Sequence, residues 1–193
     1  MNIVLLSPYF PPNYYHFAMA LRRNGVNVLG LGDAPYDQLA YELRAGLVEY
    51  YRVDDLHQYD ALVRACGYFT HRYGKLDRIE SHNEYWLETD ARLRTDFNVP
   101  GPKTADIAWV KQKSKMKQVF VQAGIAVARG RVVQTLQDAE ALIAEVGYPV
   151  VAKPDTGVGA NATYKIADEA ALARFFAEKP PIDYIMEEFV SGA

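Results

Sequence analysis

The sequence has little that would suit an oxidising compartment or a membrane. Cys66 is the one cysteine among 193 residues, so an internal disulfide is excluded, and we expect a cytoplasmic protein. No apolar run is long enough to span a membrane, and the first residues lack the basic start of a secretory signal. The net charge of −3 gives no general attraction to polyanions. We therefore expect neither nucleic acid nor a membrane as a partner.

The first half also lacks the glycine fingerprint of NAD-binding enzymes. The first predicted strand is followed by Ser-Pro-Tyr-Phe-Pro-Pro at residues 7–12, where a Gly-x-Gly-x-x-Gly loop would let a pyrophosphate approach a helix. A metal site is not predicted in this chain either, because His82 has no second histidine or cysteine at metal-site spacing. Cys66 lies in an apolar helical stretch, which favours an inert core thiol over a nucleophile.

Between residues 2 and 80, short apolar runs alternate with stretches whose apolar residues recur at helical spacing. This alternation predicts an α/β fold with a parallel, doubly wound sheet. The predicted strands are residues 2–6, 26–31, 47–53 and 76–80, and the predicted helices are residues 14–24, 36–45 and 55–73.

Polar residues Ser81-His82-Asn83-Glu84 follow the fourth predicted strand. Ligands of open α/β sheets collect beyond the carboxyl ends of the strands, so this segment and the loop at residues 7–12 lie where a substrate would be held. The same Ser-x-x-Glu spacing is also that of a capping box, in which Ser81 and Glu84 merely satisfy the start of a helix. Both interpretations stay open at this point, and His82 is interpreted as a solvated loop residue.

The second half follows a different pattern. Asn98-Val-Pro-Gly-Pro102 breaks both periodicities and predicts a domain boundary, after which a lysine-rich helix is predicted over Thr104–Ala123. The remaining elements predict an α+β unit whose strands pair with one another while the helices cover one face. Its predicted strands are residues 127–134, 150–153, 163–166 and 184–190, and helices are predicted to begin after Thr135 and Asp168.

Lys153 ends a buried strand and is followed by the glycine-rich stretch Thr156-Gly-Val-Gly-Ala160. Glycine lets backbone N–H groups approach phosphate oxygens closely, and a neighbouring lysine supplies a positive charge. A hairpin loop beside a solvated lysine would show the same letters. Lys113 and Lys117 lie at i,i+4 on the predicted helix, where like charges repel unless an anion pairs with them.

The order of these motifs resembles the ATP-grasp superfamily, in the branch of biotin carboxylase and the large subunit of carbamoyl phosphate synthase. The matching segments are Gln112-Lys113, Met116-Lys117, Ala123-Gly124, Lys153-Pro154 with its glycine-rich loop, and Met186-Glu-Glu-Phe-Val190. Gln112 stands where the family usually has Asp, a small departure. The resemblance covers essentially the whole chain and rests on the order and spacing of motifs that are each weak alone.

The resemblance implies a domain organisation and a set of site residues. Residues 1–98 would be a Rossmann-like pre-ATP-grasp domain, residues 99–123 a linker with the lysine-bearing helix, and residues 124–193 a small α+β subdomain of a truncated ATP-grasp fold. The implied ATP contacts are Lys113 and Lys153 on the phosphates, Thr156, Gly157, Val158, Gly159, Ala160 and Asn161 as a covering loop, and Glu187, Glu188, Phe189 and Val190 as the adenine hinge. Ser81, Asn83 and Glu84 would lie near the substrate.

The resemblance also implies an activity. ATP-grasp ligases use ATP and Mg²⁺ to activate a carboxylate as an acyl phosphate, which an amine or another nucleophile then attacks. We therefore expect small-molecule carboxylates and amines as partners, with a homodimer as a possible assembly. We expect the catalytic and metal-binding residues beyond Ala193, which would make this chain an N-terminal portion that is inactive alone. The alternative is a nucleotide-binding or assembly module without chemistry of its own.

Overall fold

The computed structural model describes residues 1–157 and 162–191. The chain divides into two compact units, residues 1–107 and residues 108–193. The domain boundaries suggested by the motifs, at residues 98 and 123, stay predictions. Within the described residues, no helix combines the length and the apolar character that crossing a membrane requires.

Unit 1 is built around a parallel sheet with the strand order β3-β2-β1-β4. The predicted parallel α/β arrangement is therefore confirmed. The strands are β1 (Asn2–Leu6), β2 (Asn27–Gly32), β3 (Glu49–Arg52) and β4 (Arg78–Glu80), and the helices are α1 (Tyr15–Arg23), α2 (Tyr41–Gly46), α3 (Tyr59–Tyr73) and α4 (Leu87–Asp96), with 3-10 turns at Pro12–Tyr14, Tyr36–Gln38 and Glu84–Trp86.

The sheet of unit 1 is covered on both faces. Alternate residues of β1 point to opposite sides, so Val4 and Leu6 pack with α3, while Ile3 and Leu5 pack with α1 and α2. Every β1 residue is buried, as expected for a strand in the middle of a doubly covered parallel sheet. This packing fixes the carboxyl ends of β1 and β4 next to each other at one edge of the sheet.

Unit 2 contains an antiparallel sheet with the strand order β5-β8-β6-β7. Its buried core lies between one face of the sheet and two helices, as the sequence predicts. The strands are β5 (Gly130–Val133), β6 (Val150–Pro154), β7 (Tyr164–Ile166) and β8 (Tyr184–Glu188), and the helices are α5 (Ile107–Lys111, which begins at the last residue of unit 1), α6 (Lys113–Gln122), α7 (Leu136–Val146) and α8 (Glu169–Glu178). Helices α7 and α8 are the two that cover the sheet.

Two of the predicted helices are interrupted in the structure. The helix predicted over Thr104–Ala123 is wrong as a single element, because Gln112 has an extended backbone (ψ 119°) that separates α5 from α6. The N–H of Lys113 donates to the carbonyl oxygen of Asp155 and does not continue the α5 ladder (2.9 Å). The helix predicted over residues 36–45 is likewise a 3-10 turn followed by α2, with Leu39 and Ala40 extended between them.

Candidate functional site

The face of the antiparallel sheet opposite α7 and α8 carries Lys153 and Glu187, two of the charged residues that the sequence motifs select. Strand residues alternate between faces, so Ala152 and Met186 enter the core with the helices while Lys153 and Glu187 point the other way. Lys153 and Glu187 lie on adjacent strands, and Ile185 is directly opposite Lys153 in the ladder. We call this side of the sheet the lysine face.

Glu187 is held between two lysines on the lysine face. Its Oε1 lies 2.6 Å from Nζ of Lys117 on α6, and its Oε2 lies 2.5 Å from Nζ of Lys153 on β6. Burial raises the pKa of the Glu187 carboxyl, but the hydrogen bonds and charges of both lysines outweigh it and hold that pKa below its usual value. Glu187 is therefore ionised at neutral pH and neutralises part of the surrounding positive charge.

Lys117 was not selected as a site residue from the sequence, although a signal for it was present. It lies one turn after Lys113 on α6, a like-charged pair that needs an anion nearby. The structure supplies Glu187 as that anion, and the Lys117 ammonium group also donates to the carbonyl oxygen of Ala128. Local sequence patterns could not identify Glu187 as this anion, because it lies on β8, far from Lys117 in the sequence.

Lys113 reaches the beginning of the glycine-rich loop. Its ammonium group donates to the carbonyl oxygen of Gly157 (3.1 Å), next to the exposed residue Thr156. The rest of the predicted phosphate loop, Val158, Gly159, Ala160 and Asn161, lies outside the described residues. The structure thus brings the ammonium group of Lys113 to the loop, and those of Lys117 and Lys153 to Glu187, all within unit 2.

The predicted hinge continues β8 past Glu187. The Glu188 carboxylate pairs with Arg129, accepting its backbone N–H at 2.7 Å and its Nε–H at 2.8 Å. The Phe189 N–H donates to the carbonyl oxygen of Pro149 (3.2 Å), and the Phe189 ring lies under the ammonium group of Lys165. Val190 is exposed. The Glu188 side chain is thus committed to Arg129, whereas the Glu187 side chain faces the lysines.

A cavity of about 540 Å³ lies beside the lysine face, between α6 and the outer side of β5 and β8. Gly130 lies in its wall, where an added Cβ would come 2.4 Å from the carbonyl oxygen of Met186. Glycine is therefore required there by close approach of the two strands. The cavity is lined by Ser114, Lys117, Gln118, Val121, Gln122, Gly130, Arg131, Val132 and Ile185.

The tentative substrate residues of unit 1 follow β4, but the predicted capping box is wrong. Asn83 is the N-cap, with its Oδ1 accepting the N–H of Tyr85 at 2.9 Å. Ser81 is buried, and its hydroxyl donates to the Asp90 carboxylate (2.6 Å). It therefore does not cap the helix. Glu84 is exposed in the first turn. Asn83 and Glu84 are therefore the more accessible of the three residues.

Asp90 is a buried acid with an incomplete set of partners. Its Oδ2 accepts the N–H and hydroxyl of Ser81, and Nη2 of Arg94 lies 4.0 Å away, but its Oδ1 has no hydrogen-bond partner among the described residues. Burial raises the pKa of the Asp90 carboxyl to about 7, and the hydrogen bonds from Ser81 and the charge of Arg94 only partly offset that effect. The Asp90 carboxyl therefore keeps its proton to a much higher pH than an ordinary aspartate does.

We expect the free energy of unfolding of unit 1 to fall as the pH rises from about 4 to about 7. Over that range the folded state retains a proton on Asp90 that the unfolded state has already lost, so raising the pH favours unfolding. Urea unfolding followed by the fluorescence of buried Trp86, in a Trp109→Phe background that removes the signal of unit 2, measures the effect. Asp90→Asn should remove this slope, and the exposed Asp106→Asn should keep it; a slope unchanged in Asp90→Asn would contradict the assignment.

Cys66 is another titratable residue that the sequence analysis considered. Cys66 is fully buried, and burial raises the pKa of its thiol to about 12, as suits an inert core residue. Within residues 1–157 and 162–191, no cluster of three histidine, cysteine or acidic side chains is arranged to hold a metal ion.

Searches with the sequence find relatives of several kinds. No family model matches the chain. It is 29% identical to the uncharacterised protein y4rH of Sinorhizobium fredii over 178 residues, covering 86% of this chain and 35% of that protein. It is 32% identical to an L-arginine-specific L-amino acid ligase of Bacillus subtilis over 95 residues, covering 49% of this chain and 23% of the ligase. The carbamoyl phosphate synthase large chain of Clostridium acetobutylicum is 24% identical over 107 residues, covering 53% of this chain and 10% of that protein.

Solved structures with the same fold match nearly the whole chain. An N5-carboxyaminoimidazole synthetase of Staphylococcus aureus, solved with ADP, has a TM-score of 0.75 at 18% identity and covers 98% of this chain and 48% of its own. The biotin carboxylase domain of a Hydrogenobacter thermophilus 2-oxoglutarate carboxylase, solved as a dimer with MgADP and bicarbonate, has a TM-score of 0.73 at 18% identity. That match covers 98% of this chain and 44% of the carboxylase chain. The chain thus spans about a third of the length of y4rH and less than half of each of these structures.

Proposed function

Since the chain has the fold of ATP-grasp enzymes and resembles ATP-grasp ligases in sequence, as its motifs predict, we propose that it is the nucleotide-binding portion of such a ligase. Unit 2 binds ATP along the lysine face, with the phosphates at Lys113 and Lys153. The intact protein transfers the γ-phosphate to a carboxylate, and an amine or another nucleophile then displaces the phosphate. The observation that carries the proposal is the set of lysines that converge on Glu187 and Gly157.

The charges on the lysine face suit a triphosphate. Lys113, Lys117 and Lys153 carry three positive charges, and Glu187 cancels one of them, which leaves an excess for the β- and γ-phosphates. Phosphoryl transfer depends chiefly on positioning and on neutralising charge, and lysines held by fixed partners supply both. The loop that starts at Gly157 would add backbone N–H groups.

The adenine hinge is proposed at the end of β8. The adenine amino group is received by Glu187 and by the backbone of Glu188, and the Val190 N–H donates to the ring. Because both oxygens of the Glu187 carboxylate contact lysines, a direct contact with adenine requires one oxygen to be shared with or released from its lysine. The Glu188 N–H already donates to the carbonyl oxygen of Arg129 (2.9 Å), so the backbone contact proposed for the adenine amino group falls to the Glu188 carbonyl oxygen.

Mg²⁺ would arrive with the nucleotide, because the described residues contain no acidic cluster to hold it. When bound, the ion offsets the negative charge that develops on the phosphates. Residues of this chain contribute the cationic side of the site. Ligands for the metal, and the groups that act on the carboxylate, are assigned to parts of the intact protein other than the described residues.

Unit 1 is proposed to shape the acceptor site through Asn83 and Glu84, while the hydrogen bond from Ser81 to Asp90 fixes the start of that segment. The acceptor classes are a small carboxylate and an amine. The relatives include an amino acid ligase of Bacillus subtilis, and its specificity for L-arginine is a property of that protein and is not proposed for this chain. A homodimer is proposed by analogy with the biotin carboxylase domain dimer.

The ligase proposal is tested by ADP release from the intact gene product. We expect ATP and Mg²⁺ to yield ADP over many turnovers only when a carboxylate and an amine are both present, screened first with L-amino acids. The alternative function, a nucleotide-binding or assembly module, predicts ATP binding without acceptor-dependent ADP release. Absence of ADP release over a broad set of carboxylates and amines would overturn the ligase proposal and favour that module.

Glu187→Ala is expected to weaken the binding of ATP about tenfold, and that of GTP less. The adenine amino group can donate to a carboxylate, whereas the guanine carbonyl at the same position cannot. Competition titrations with the two nucleotides measure the ratio. Glu188→Ala is the matched control, because its carboxylate pairs with Arg129, and it should leave the preference unchanged. An equal loss for ATP and GTP would limit Glu187 to holding the lysines.

A further inference from the structure

The first turn of α6 is capped from outside the helix by Asp155. The Ser114 N–H donates to Oδ1 of Asp155 at 2.7 Å, and the Ser114 hydroxyl donates to Oδ2 at 2.8 Å. The Lys113 N–H donates to the Asp155 carbonyl oxygen at 2.9 Å. Gln112, at the N-cap position, provides no side-chain cap. Asp155 therefore satisfies N–H groups that the start of a helix leaves without an internal partner.

Asp155 is itself fixed by the antiparallel sheet. It follows β6 directly, and its N–H donates to the carbonyl oxygen of Asp183, just before β8 (2.9 Å). It is buried, so its carboxylate stays in a defined position. Lys153 lies two residues before Asp155. Gly157, whose carbonyl oxygen accepts a hydrogen bond from the Lys113 ammonium group, lies two residues after it. One residue thus connects the lysine-bearing helix, the lysine-bearing strand and the start of the glycine-rich loop.

We propose that Asp155 is a positioning residue for nucleotide binding, which holds Lys113 in register with Lys153 at the phosphate site. This role rests on the proposed function. Without this contact, α6 would lose the bonds that fix its first turn to the end of β6, and the Lys113 ammonium group would no longer be held at the loop. Asp155 does not touch the nucleotide and acts through the helix that it caps.

The contacts of Asp155 argue against a direct role in binding phosphate or metal. Both carboxylate oxygens accept hydrogen bonds from Ser114, so neither needs a cation as a partner. A carboxylate at a helix N-terminus also interacts favourably with the helix dipole, and it occupies the place that a phosphate would otherwise take. The phosphates are therefore left to the lysine side chains and to the loop.

The experiment compares Asp155→Ala with Asp168→Ala in the intact gene product. Asp168 is a matched control, because its Oδ1 caps α8 through the Ala171 N–H (2.8 Å), and α8 covers the opposite face of the sheet. Calorimetric titrations with Mg·ATP and with adenosine give the binding constants. We expect Asp155→Ala to weaken ATP about tenfold and adenosine hardly at all, because only the phosphate contacts depend on Lys113.

Two further variants separate positioning from general stability. Asp155→Asn retains an acceptor for the Ser114 N–H and should restore most of the ATP affinity, while Ser114→Ala removes one bond and should fall between the two. Equal losses of ATP and adenosine affinity, or an equal loss of ATP affinity in Asp168→Ala, would overturn the positioning role. A wild-type product that does not bind ATP would overturn the proposed function, and this role with it; unchanged ATP affinity in Asp155→Ala would overturn this role alone.

Discussion

Lys153→Ala should lower the rate of ATP turnover by the intact gene product at least about 100-fold. Lys153 is proposed to hold a transferring phosphate, and removing one preorganised charge from such a site costs that much in rate. Its side chain is 32% exposed, and the buried Glu187 carboxylate keeps Lys117 in the variant, so the free energy of unfolding should fall by only about 1–2 kcal/mol. Steady-state ADP release and urea unfolding measure the two quantities.

Lys179→Ala is the control for Lys153→Ala. Lys179 lies at the end of α8 near the rings of Phe176 and Tyr184, away from the lysine face. Its removal should leave ATP turnover unchanged. If Lys153→Ala instead reduced turnover and the unfolding midpoint in parallel, Lys153 would be a structural lysine and the phosphate assignment would fall.

Arg94→Ala should lower the free energy of unfolding of unit 1 by about 3–5 kcal/mol at neutral pH. Arg94 is only 3% exposed, and it donates to the carbonyl oxygen of Ile79 at 2.9 Å and to Glu80 at 2.6 Å. The substitution would leave that carbonyl oxygen without its donor and the Asp90 carboxyl without its nearby positive charge. Urea unfolding followed by Trp86 fluorescence in the same Trp109→Phe background reports on this unit.

Arg92→Ala provides the comparison on the same helix. Arg92 is exposed and lies over the ring of Tyr59, a contact worth about 0.5–1 kcal/mol at the surface. The loss in Arg94→Ala should also shrink below pH 7, because a protonated Asp90 no longer needs a cation. Similar losses in the two variants would show that the Arg94 network contributes no more than a surface contact.

The architecture of each unit could be predicted from local patterns. The strands of unit 1 are continuous apolar runs separated by helical periodicity, and β1 is indeed buried on both faces. The alternation of Val150, Ala152 and Met186 with Lys153 and Glu187 likewise separates a core face from a charged face. Such patterns are readable because burial of each side chain follows from the geometry of its own strand.

The departures from prediction have causes that lie elsewhere in the chain. The break at Gln112 depends on Asp155, whose carboxylate bonds to Ser114 from 41 residues away in sequence. Ser81 fails as a cap because Asp90 takes its hydroxyl. The two lysine partners of Glu187 are also distant from it in sequence. Local spacing identifies chemical groups of the right kind, but tertiary pairing decides which of them meet.

The alternation along β8 also determines how the sheet is aligned. A slip of β8 by one residue would move Glu187 into the apolar core and turn Met186 towards Lys117 and Lys153, burying a charge and leaving the two lysines without their anion. The Glu187 carboxylate, which pairs with the two lysines, therefore makes every shift of β8 by an odd number of residues unfavourable in free energy. An insertion or deletion of one residue before Tyr184 must be absorbed by the preceding loop, because an odd shift of the strand would exchange its core face and its charged face.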